Sequence, residues 1–295
     1  MINLILNKLL LLVFVCFSFL LAGQDRAYQL FDSEGKVMSY NKMIRLLKKQ
    51  DVVFFGEYHD NPVCHWLQLE VSKSLILERD SKIIFGAEFF ERDNQLIIDE
   101  YLSGAIAYKH LKTEAKVWDN FHTDYAPLLK YAKSVKAPFV ATNVPRRYAS
   151  MVARDGLEVL KLLPGQAKRL MMPLDFKVDT TLACYNNMLK SSMGHSMGMD
   201  PMNMVYAQAM KDATMAESIM RNSKLGYLFL HFNGAYHTDY KEGIAYYLNV
   251  YNARKPLDFL CISMVEQPNI TSLNSQHFGK ADIIICVDED FTKSY

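Results

Sequence analysis

The sequence lacks a dominant charge. Its 295 residues include 33 Lys and Arg against 32 Asp and Glu, and no long block of one sign occurs. A surface that binds phosphate backbones usually needs a basic excess, so nucleic acid is not expected as a partner. Half of the residues are hydrophobic and 22% are charged, which indicates a folded chain with a sizeable core.

Cysteine is also scarce, and its spacing fits no metal-binding motif. Five cysteines occur in the whole sequence, without a Cys-x-x-Cys pair. The spacing therefore gives no support to a zinc knuckle or a thioredoxin-like redox motif. Cys261 and Cys286 lie in strand-like apolar runs and are predicted to be core residues.

Long apolar runs are absent except at the N-terminus. A basic start is followed by an apolar run over residues 9–22 that is too short to span a bilayer comfortably. This pattern is typical of a secretory signal, so we expect residues 1–23 to be a signal peptide and 24–295 to form a single exported α/β domain. The alternatives are an uncleaved membrane anchor and a lipid anchor at Cys16, although Val15 stands where a lipoprotein site normally has a small residue.

Short apolar segments alternate with segments of helical spacing. The segments are continuous in hydrophobicity, as in strands that are covered on both faces. Asn61-Pro62 predicts the start of a helix, with Asn as the N-cap; further helices are predicted from Pro145 toward Leu163 and over about Val205 to Met220. The alternation predicts an α/β fold with a mainly parallel central sheet flanked by helices. The predicted strands are Val52–Phe55, Ile83–Phe85, Phe139–Ala141, Tyr227–Leu230, Phe259–Ser263 and Ile283–Val287.

A methionine-rich segment interrupts this alternation. Six methionines lie between Met188 and Met204, around a centre that contains glycine and proline. The lack of a regular hydrophobic period predicts a loop or lid over about residues 188–204. It would be inserted between helices and cover the C-terminal edge of the sheet. Its thioethers and His195 could bind Cu(I), its flexible side chains could cover a flat apolar ligand such as haem, or it could be an adaptable packing segment.

Polar side chains follow four of the predicted strands. Because the carboxyl ends of parallel strands meet at one edge of a sheet, these side chains are expected to line a ligand crevice there. The four groups are Gly56-Glu57-Tyr58-His59, Gly86-Ala87-Glu88, Asn143 with Pro145 and Arg146, and His231 with Gly234-Ala235-Tyr236-His237.

The two Gly-x-x-His motifs end at His59 and His237. A glycine just past a strand lets the backbone turn sharply, so the histidine can point back across the edge. With Glu57 or Glu88 the two histidines could hold a divalent metal, or they could act as general acid and base. They could equally hydrogen-bond one another and fix the loops. Arg146, near a helix start, suits a carboxylate or phosphate.

The third predicted helix contains two acidic residues, Asp212 and Glu217. Five positions separate them, so they do not lie squarely on one helix face. We therefore predict no carboxylate pair there.

Taken together, these motifs resemble the ChaN-like haem-binding uptake family, which is related to the wider TraB/Tiki group. The resemblance spans about residues 50 to 245. The shared marks of the wider group are two Gly-x-x-His motifs and a strand-end glutamate, which fall on His59, His237 and Glu88. The matching segments are Gly56 to Pro62, Gly86 to Phe90, Asn143 to Arg146, Gln208 to Ala216 and Asn233 to His237.

The resemblance implies an exported haem-binding protein of haem or iron uptake or scavenging, periplasmic or membrane-associated and often a lipoprotein. Haem is the implied cofactor; an outer-membrane haem uptake system and a second copy of the chain are the implied partners. Haem iron needs an axial Tyr or His, for which Tyr206 and His195 are the candidates, with Met199 and Arg146 as further cofactor contacts.

The alternative function is a metal-dependent hydrolase, either a peptidase or an esterase. In that case His59, His237 and Glu88 would hold the metal, which lowers the pKa of a bound water. Glu57 or Glu88 would then act as the base.

Overall fold

The central element is one eight-stranded sheet, seen in a computed structural model that describes residues 26–192, 200–252 and 256–295. The strand order is β2-β1-β8-β7-β3-β6-β4-β5. The strands are β1 (Tyr28–Asp32), β2 (Val37–Met38), β3 (Val52–Glu57), β4 (Ile83–Glu91), β5 (Phe139–Asn143), β6 (Leu228–Gly234), β7 (Phe259–Gln267) and β8 (Ile283–Asp288).

Helices follow most of the strands. In chain order they are α1 (Tyr40–Leu47), α2 (Pro62–Glu78), α3 (Gln95–Ser103), α4 (Tyr108–Glu114), α5 (Ala126–Ser134), α6 (Arg146–Asp155), α7 (Gly165–Lys168), α8 (Ala183–Ser192), α9 (Pro201–Asn222) and α10 (Ile244–Tyr251). Shorter 3-10 turns join several of them, and a π-helical turn spans Phe121–Tyr125. Among the described residues, no helix is both long and apolar enough to cross a bilayer.

The sheet is mixed but mostly parallel. β3 pairs in parallel with β6 and β7, whereas β1 pairs antiparallel with β2 and β8. All six predicted strands are present, so the predicted α/β fold with a mainly parallel sheet is confirmed. The two N-terminal strands, β1 and β2, were not predicted.

Alternate residues of the strands enter two separate apolar cores. In β3, Val53 and Phe55 pack on the face covered by α2 and α5, while Val52 and Phe54 pack on the face covered by α6, α9 and α10. Successive side chains of a strand point to opposite faces. Because helices cover both faces, both sets are apolar, which explains the unalternated strand sequences.

One predicted helix begins where the sequence placed it, and another ends earlier than predicted. α2 begins as predicted, with the Asn61 side chain accepting hydrogen bonds from two first-turn amides. The helix predicted from Pro145 toward Leu163 ends earlier, at Asp155, because Gly156 adopts a φ of +79°. A 3-10 helix over Leu157–Leu162 continues the chain.

The predicted loop over residues 188–204 is too long. Helix α8 continues through Ser192 and α9 begins at Pro201, so both ends of the methionine-rich segment are helical. Asp200 caps α9 by accepting a hydrogen bond from the Met202 amide, and Pro201 stands at the first helical position. Residues 193–199 lie outside the described part of the chain, as does the predicted signal peptide.

In the described part of the chain, one edge of the sheet is short and the other is partly covered. β2, at one edge, is only two residues long. At the other edge, the Gln95 side chain of α3 lies along β5: it donates to the carbonyl of Phe139 at 2.9 Å and accepts from the amide of Ala141 at 2.7 Å.

The cysteines of the described chain are not paired. Cys64, Cys184, Cys261 and Cys286 are all free and buried. The core positions predicted for Cys261 and Cys286 are confirmed.

Candidate functional site

The carboxyl ends of three neighbouring strands bring the predicted polar residues together. β6 lies between β3 and β4 in the sheet, and Glu57 of β3 is in register with Gly234 of β6. Glu57 is the last residue of β3, and Glu88 lies inside β4, three residues before its end, so both belong to their strands rather than follow them. His59 and His237 then turn back over this edge.

Glu57 is the centre of the first polar network. Its side chain is only 1% exposed, and it accepts hydrogen bonds from His59 Nδ1 at 2.8 Å and from the Tyr125 hydroxyl at 2.6 Å. The Gln68 amide donates to its other oxygen. Burial raises the pKa of Glu57, but the hydrogen bond from His59 and the nearby His65 outweigh this, so the net pKa lies below the ordinary value. Glu57 is therefore an ionised carboxylate that orients His59.

Glu88, His237 and Asp212 form the second network. Glu88 accepts from His237 Nε2 at 3.1 Å and from the Gly234 amide at 2.7 Å, and Asp212 accepts from His237 Nδ1. Burial lowers the pKa of His237, but the carboxylates of Glu88 and Asp212 raise it to about 10. Burial raises the pKa of Glu88, but His237 lowers it well below its ordinary range. His237 is thus a buried imidazolium between two carboxylates.

A cavity of about 360 Å³ opens beside these networks. His59 and Glu88 line it together with Trp118, Arg146 and Tyr295. The His59 side chain is 37% exposed, which makes it more accessible than the side chains of Glu57, Glu88 and His237. Its ring centroid lies 4.7 Å from that of Trp118 in an edge-to-face arrangement. This sheet-edge cavity therefore offers an oriented imidazole, a buried carboxylate and a guanidinium to one ligand.

The glycine of the second Gly-x-x-His motif is required by a close approach. A Cβ atom on Gly234 would stand 2.9 Å from both Cε1 and Nε2 of His59 and 3.5 Å from Glu88. Only glycine leaves room for the His59 ring over β6. The two motifs are thus interlocked, with the glycine of one making space for the histidine of the other.

Asp212 was missed by the sequence prediction, which considered it only as a partner of Glu217. The two carboxylates do face different partners: Asp212 accepts from His237 and from the Tyr185 hydroxyl at 2.7 Å, and Glu217 pairs with Arg92. The position of Asp212 in a segment that resembles the ChaN-like family pointed to a role in the site. The spacing between Asp212 and Glu217 within the helix did not.

Tyr125 and Gln68 are further site residues to which the sequence analysis gave no role in the site. Tyr125 lies in the π-helical turn, 68 positions from Glu57, and burial raises the pKa of its hydroxyl well above the ordinary value, as does Glu57 itself. No local pattern in the sequence connects these residues with Glu57.

His231, predicted at a strand end, lies inside β6. It is fully buried, 2.8 Å from the Thr142 hydroxyl and 3.0 Å from the Asn233 side-chain oxygen. Burial lowers its pKa to about 4. His231 is therefore a neutral histidine of the protein interior.

The predicted metal ligands meet, but not as a metal centre in this arrangement. Within the described ranges, no group of three or more His, Cys, Asp or Glu side chains has the geometry to hold a metal ion. Both ring nitrogens of His237 face carboxylates. Since a histidine binds metal through an unprotonated nitrogen, His237 would have to lose a proton and exchange one carboxylate for the metal.

The predicted cofactor-binding residues fall in different places. Arg146, the first residue of α6, is exposed and lines the sheet-edge cavity. Tyr206 lies in the second turn of α9, half-buried against the core that α9 covers. His195 and Met199 lie outside the described residues.

Comparisons with known proteins agree with this architecture. A family model described as haem-binding uptake, Tiki superfamily, ChaN matches residues 43–248. No curated protein matches the chain. Among solved structures, ChaN of Campylobacter jejuni with cofacially bound haem aligns at a TM-score of 0.63 and 17% identity, over 88% of this chain and 97% of that one.

Other solved structures align at lower TM-scores. An erythromycin esterase aligns at a TM-score of 0.49 and 11% identity, over 89% of this chain and 97% of that one. A Bacillus cereus protein aligns at 0.46 and 10% identity, over 89% and 95% of the two chains.

Proposed function

Since the chain belongs to the ChaN haem-binding uptake family of the Tiki superfamily, we propose that it is an exported haem-binding protein of haem or iron uptake or scavenging. The observation that carries this proposal is the family match over residues 43–248, which includes both Gly-x-x-His motifs and the whole of α9. The similar fold of ChaN from Campylobacter jejuni, which binds haem cofacially, is consistent with it. We place the protein in the periplasm or at a membrane, where an outer-membrane haem uptake system and a second copy of the chain would be its partners.

The tyrosines and histidines of the sheet edge are poor candidates for the axial iron ligand. His59 and His237 are held by carboxylates, and Tyr125 and Tyr185 donate their hydroxyls to Glu57 and Asp212. Burial raises the pKa of both tyrosines, which opposes the phenolate that iron would bind.

Tyr206 fits an axial ligand better. Its side chain is partly exposed, and no side chain among the described residues hydrogen-bonds its hydroxyl. Met202, one turn earlier on α9, is also partly exposed, and Met204 is 38% exposed. The start of α9 thus combines a phenol with flexible apolar thioethers, which suit the flat face of a haem.

The remaining predicted cofactor contacts complete this proposal. His195 and Met199 belong to residues 193–199, and they precede Tyr206 along the chain by eleven and seven positions. We propose them as a second axial ligand and an apolar contact. Arg146, which has no carboxylate partner in the described chain, would pair with a haem propionate.

Haem titration of the purified protein, followed at the Soret band, tests this proposal. Wild type should saturate with the spectrum of protein-ligated iron. Tyr206→Phe or His195→Ala should change the band and weaken binding by tenfold or more. Tyr131→Phe is the matched control, because Tyr131 is also half-buried but packs on the opposite face of the sheet. A response that does not saturate, or that is identical in all four proteins, would sink the proposal.

The sheet-edge networks support one alternative, a hydrolase. His59 is oriented by a buried carboxylate and reaches an open cavity, the arrangement of a general base. Glu57 would orient His59, and the imidazolium of His237, held by Glu88, would stabilise the negative charge that develops on the carbonyl oxygen of the substrate. In a metal-dependent hydrolase, His237 would instead release its proton, so that His59, His237 and Glu88 could hold a divalent metal that activates water.

Metal content and ester or peptide hydrolysis distinguish the two functions. A hydrolase should lose its activity in His59→Ala and in Glu88→Gln, and a metal enzyme should also lose its metal in His237→Ala. A haem carrier should bind haem equally well in Glu88→Gln if that variant folds. Wild-type protein that hydrolyses nothing and holds no metal would remove the alternative.

A further inference from the structure

A second cavity, of about 400 Å³, lies along the outer side of the edge strand β5. We call it the flank cavity; its walls come from α3, β5, the residues after α7 and the last turn of α9. Three arginines line it, Arg92, Arg169 and Arg221, against the single carboxylate of Asp99. None of them belongs to the sheet-edge cavity.

Arg92 is built into the wall and keeps an unused donor. Its side chain is only 9% exposed, and it donates from Nε to Ser218 at 2.8 Å and from Nη2 to the Thr214 carbonyl at 2.7 Å and to Glu217. Its Nη1 is buried and has no hydrogen-bond partner among the described residues. Buried donors without a partner are rare in folded proteins, and because this nitrogen is enclosed, Arg92 contributes its positive charge to the cavity wall.

The two other arginines extend from the rim of the flank cavity. Arg169 is exposed and forms no ion pair with a carboxylate in the described ranges. Arg221 is 65% exposed and lies 3.2 Å from Glu217, which Arg92 already shares. Asp99 accepts a hydrogen bond from Gln95 at 2.9 Å. Positive charge therefore exceeds negative charge around the cavity, even though the protein as a whole is nearly neutral.

We propose that the flank cavity binds the phosphate group of a small phosphomonoester. Guanidinium groups match phosphate oxygens in pairs, so the exposed Arg169 and Arg221 can each donate to a phosphate while Arg92 adds its charge from the wall. A carboxylate ligand would bring only two oxygens and one negative charge, and Glu217 already provides Arg92 with a carboxylate partner. The apolar wall formed by Phe139, Val140 and Leu170 leaves room for the organic part of the ester.

This site is separate from the proposed haem site. Arg221 lies fifteen positions after Tyr206 on the same helix, which corresponds to about 22 Å along α9. Phosphate binding would therefore occur with or without haem, and its test does not depend on haem binding.

Calorimetric titration at constant ionic strength tests the site, with glycerol 3-phosphate, inorganic phosphate and acetate as probes. Wild type should bind glycerol 3-phosphate saturably and at least as tightly as inorganic phosphate, and acetate much more weakly. Arg169→Gln and Arg221→Gln should each raise the Kd for the ester by about tenfold, the effect of one charge-assisted hydrogen bond. Both side chains are exposed, so both variants should keep the wild-type Tm.

Arg154→Gln is the matched control, because Arg154 is 69% exposed and lies on α6 outside the flank cavity. Its Kd should equal that of wild type. Binding of inorganic phosphate without the ester, equal binding of acetate, no saturable binding, or an equal loss in Arg154→Gln would each overturn the proposal.

Discussion

The buried imidazolium of His237 should make stability fall as the pH rises above neutrality. Burial lowers the pKa of His237, but Glu88 and Asp212 raise it to about 10, compared with about 6.5 in an unfolded chain. The folded state therefore keeps a proton that the unfolded chain releases. The stabilisation is fully present below about pH 6.5 and is lost as the pH rises through about 10.

The size of the effect follows from the two pKa values. Between about pH 6.5 and pH 8, His237 accounts for a loss of about 1.5 kcal/mol in the free energy of unfolding. His231 acts in the opposite sense, because burial lowers its pKa to about 4. Over the same pH range it increases the free energy of unfolding by about 0.4 kcal/mol. The net loss should be on the order of 1 kcal/mol. Higher pH would add the titration of buried cysteines such as Cys261, whose pKa burial also raises.

Urea denaturation across this pH range, at constant ionic strength, measures the loss. Asp212→Asn removes one of the two charges on His237 while keeping the shape of the side chain, so the pH dependence should become clearly shallower. Asp290→Asn, at an exposed position, should keep the wild-type slope. A wild-type free energy of unfolding that is flat or rises from about pH 6.5 to pH 8, or an unchanged slope in Asp212→Asn, would refute the reasoning.

Substitutions at three positions test the local geometry by urea denaturation. Gly234→Ala should cost about 1–3 kcal/mol and shift the NMR signals of His59, since its Cβ would stand 2.9 Å from that ring; unchanged signals would contradict the close approach. Gly243→Ala should cost at least as much, because the residue has a φ of +55° and its Cβ would lie 2.3 Å from the His237 carbonyl oxygen. Asn61→Ala should cost about 1 kcal/mol through loss of the helix cap, whereas Asn61→Ser should cost less; equal costs would speak against capping.

The strands could be predicted because their physical signal is local. Segments such as Val52–Phe55 and Ile83–Phe85 are covered on both faces, and that burial leaves a continuous apolar run. The two N-terminal strands have no such run: Tyr28–Asp32 mixes polar and apolar residues, and β2 has only two residues. The ends of the strands were also hidden, because Glu57 pairs with β6 through its backbone whatever its side chain is.

The candidate site could be predicted only where topology brings residues together. His59 and His237 each follow a strand end and a turn, and Glu88 lies beside them in β4. Asp212 could not be derived in this way, since it reaches His237 from a helix that packs on the sheet. The same holds for Tyr125, which reaches Glu57 across 68 positions of the chain. Such contacts are set by how helices lie on the sheet, for which spacing within one element carries no information.

The contact of the Gln95 side chain with β5 should help the protein to resist aggregation at high concentration. An open strand edge exposes a row of amide and carbonyl groups that can template pairing with another molecule, and so begin aggregation. Here the carboxamide of Gln95 occupies one such carbonyl and one such amide of β5, as a neighbouring strand would. At the other edge, β2 has only two residues and can form few backbone hydrogen bonds with a further strand. Edges of this kind offer an incoming chain few free backbone amide and carbonyl groups, so the eight-stranded sheet has little tendency to pair with a ninth strand.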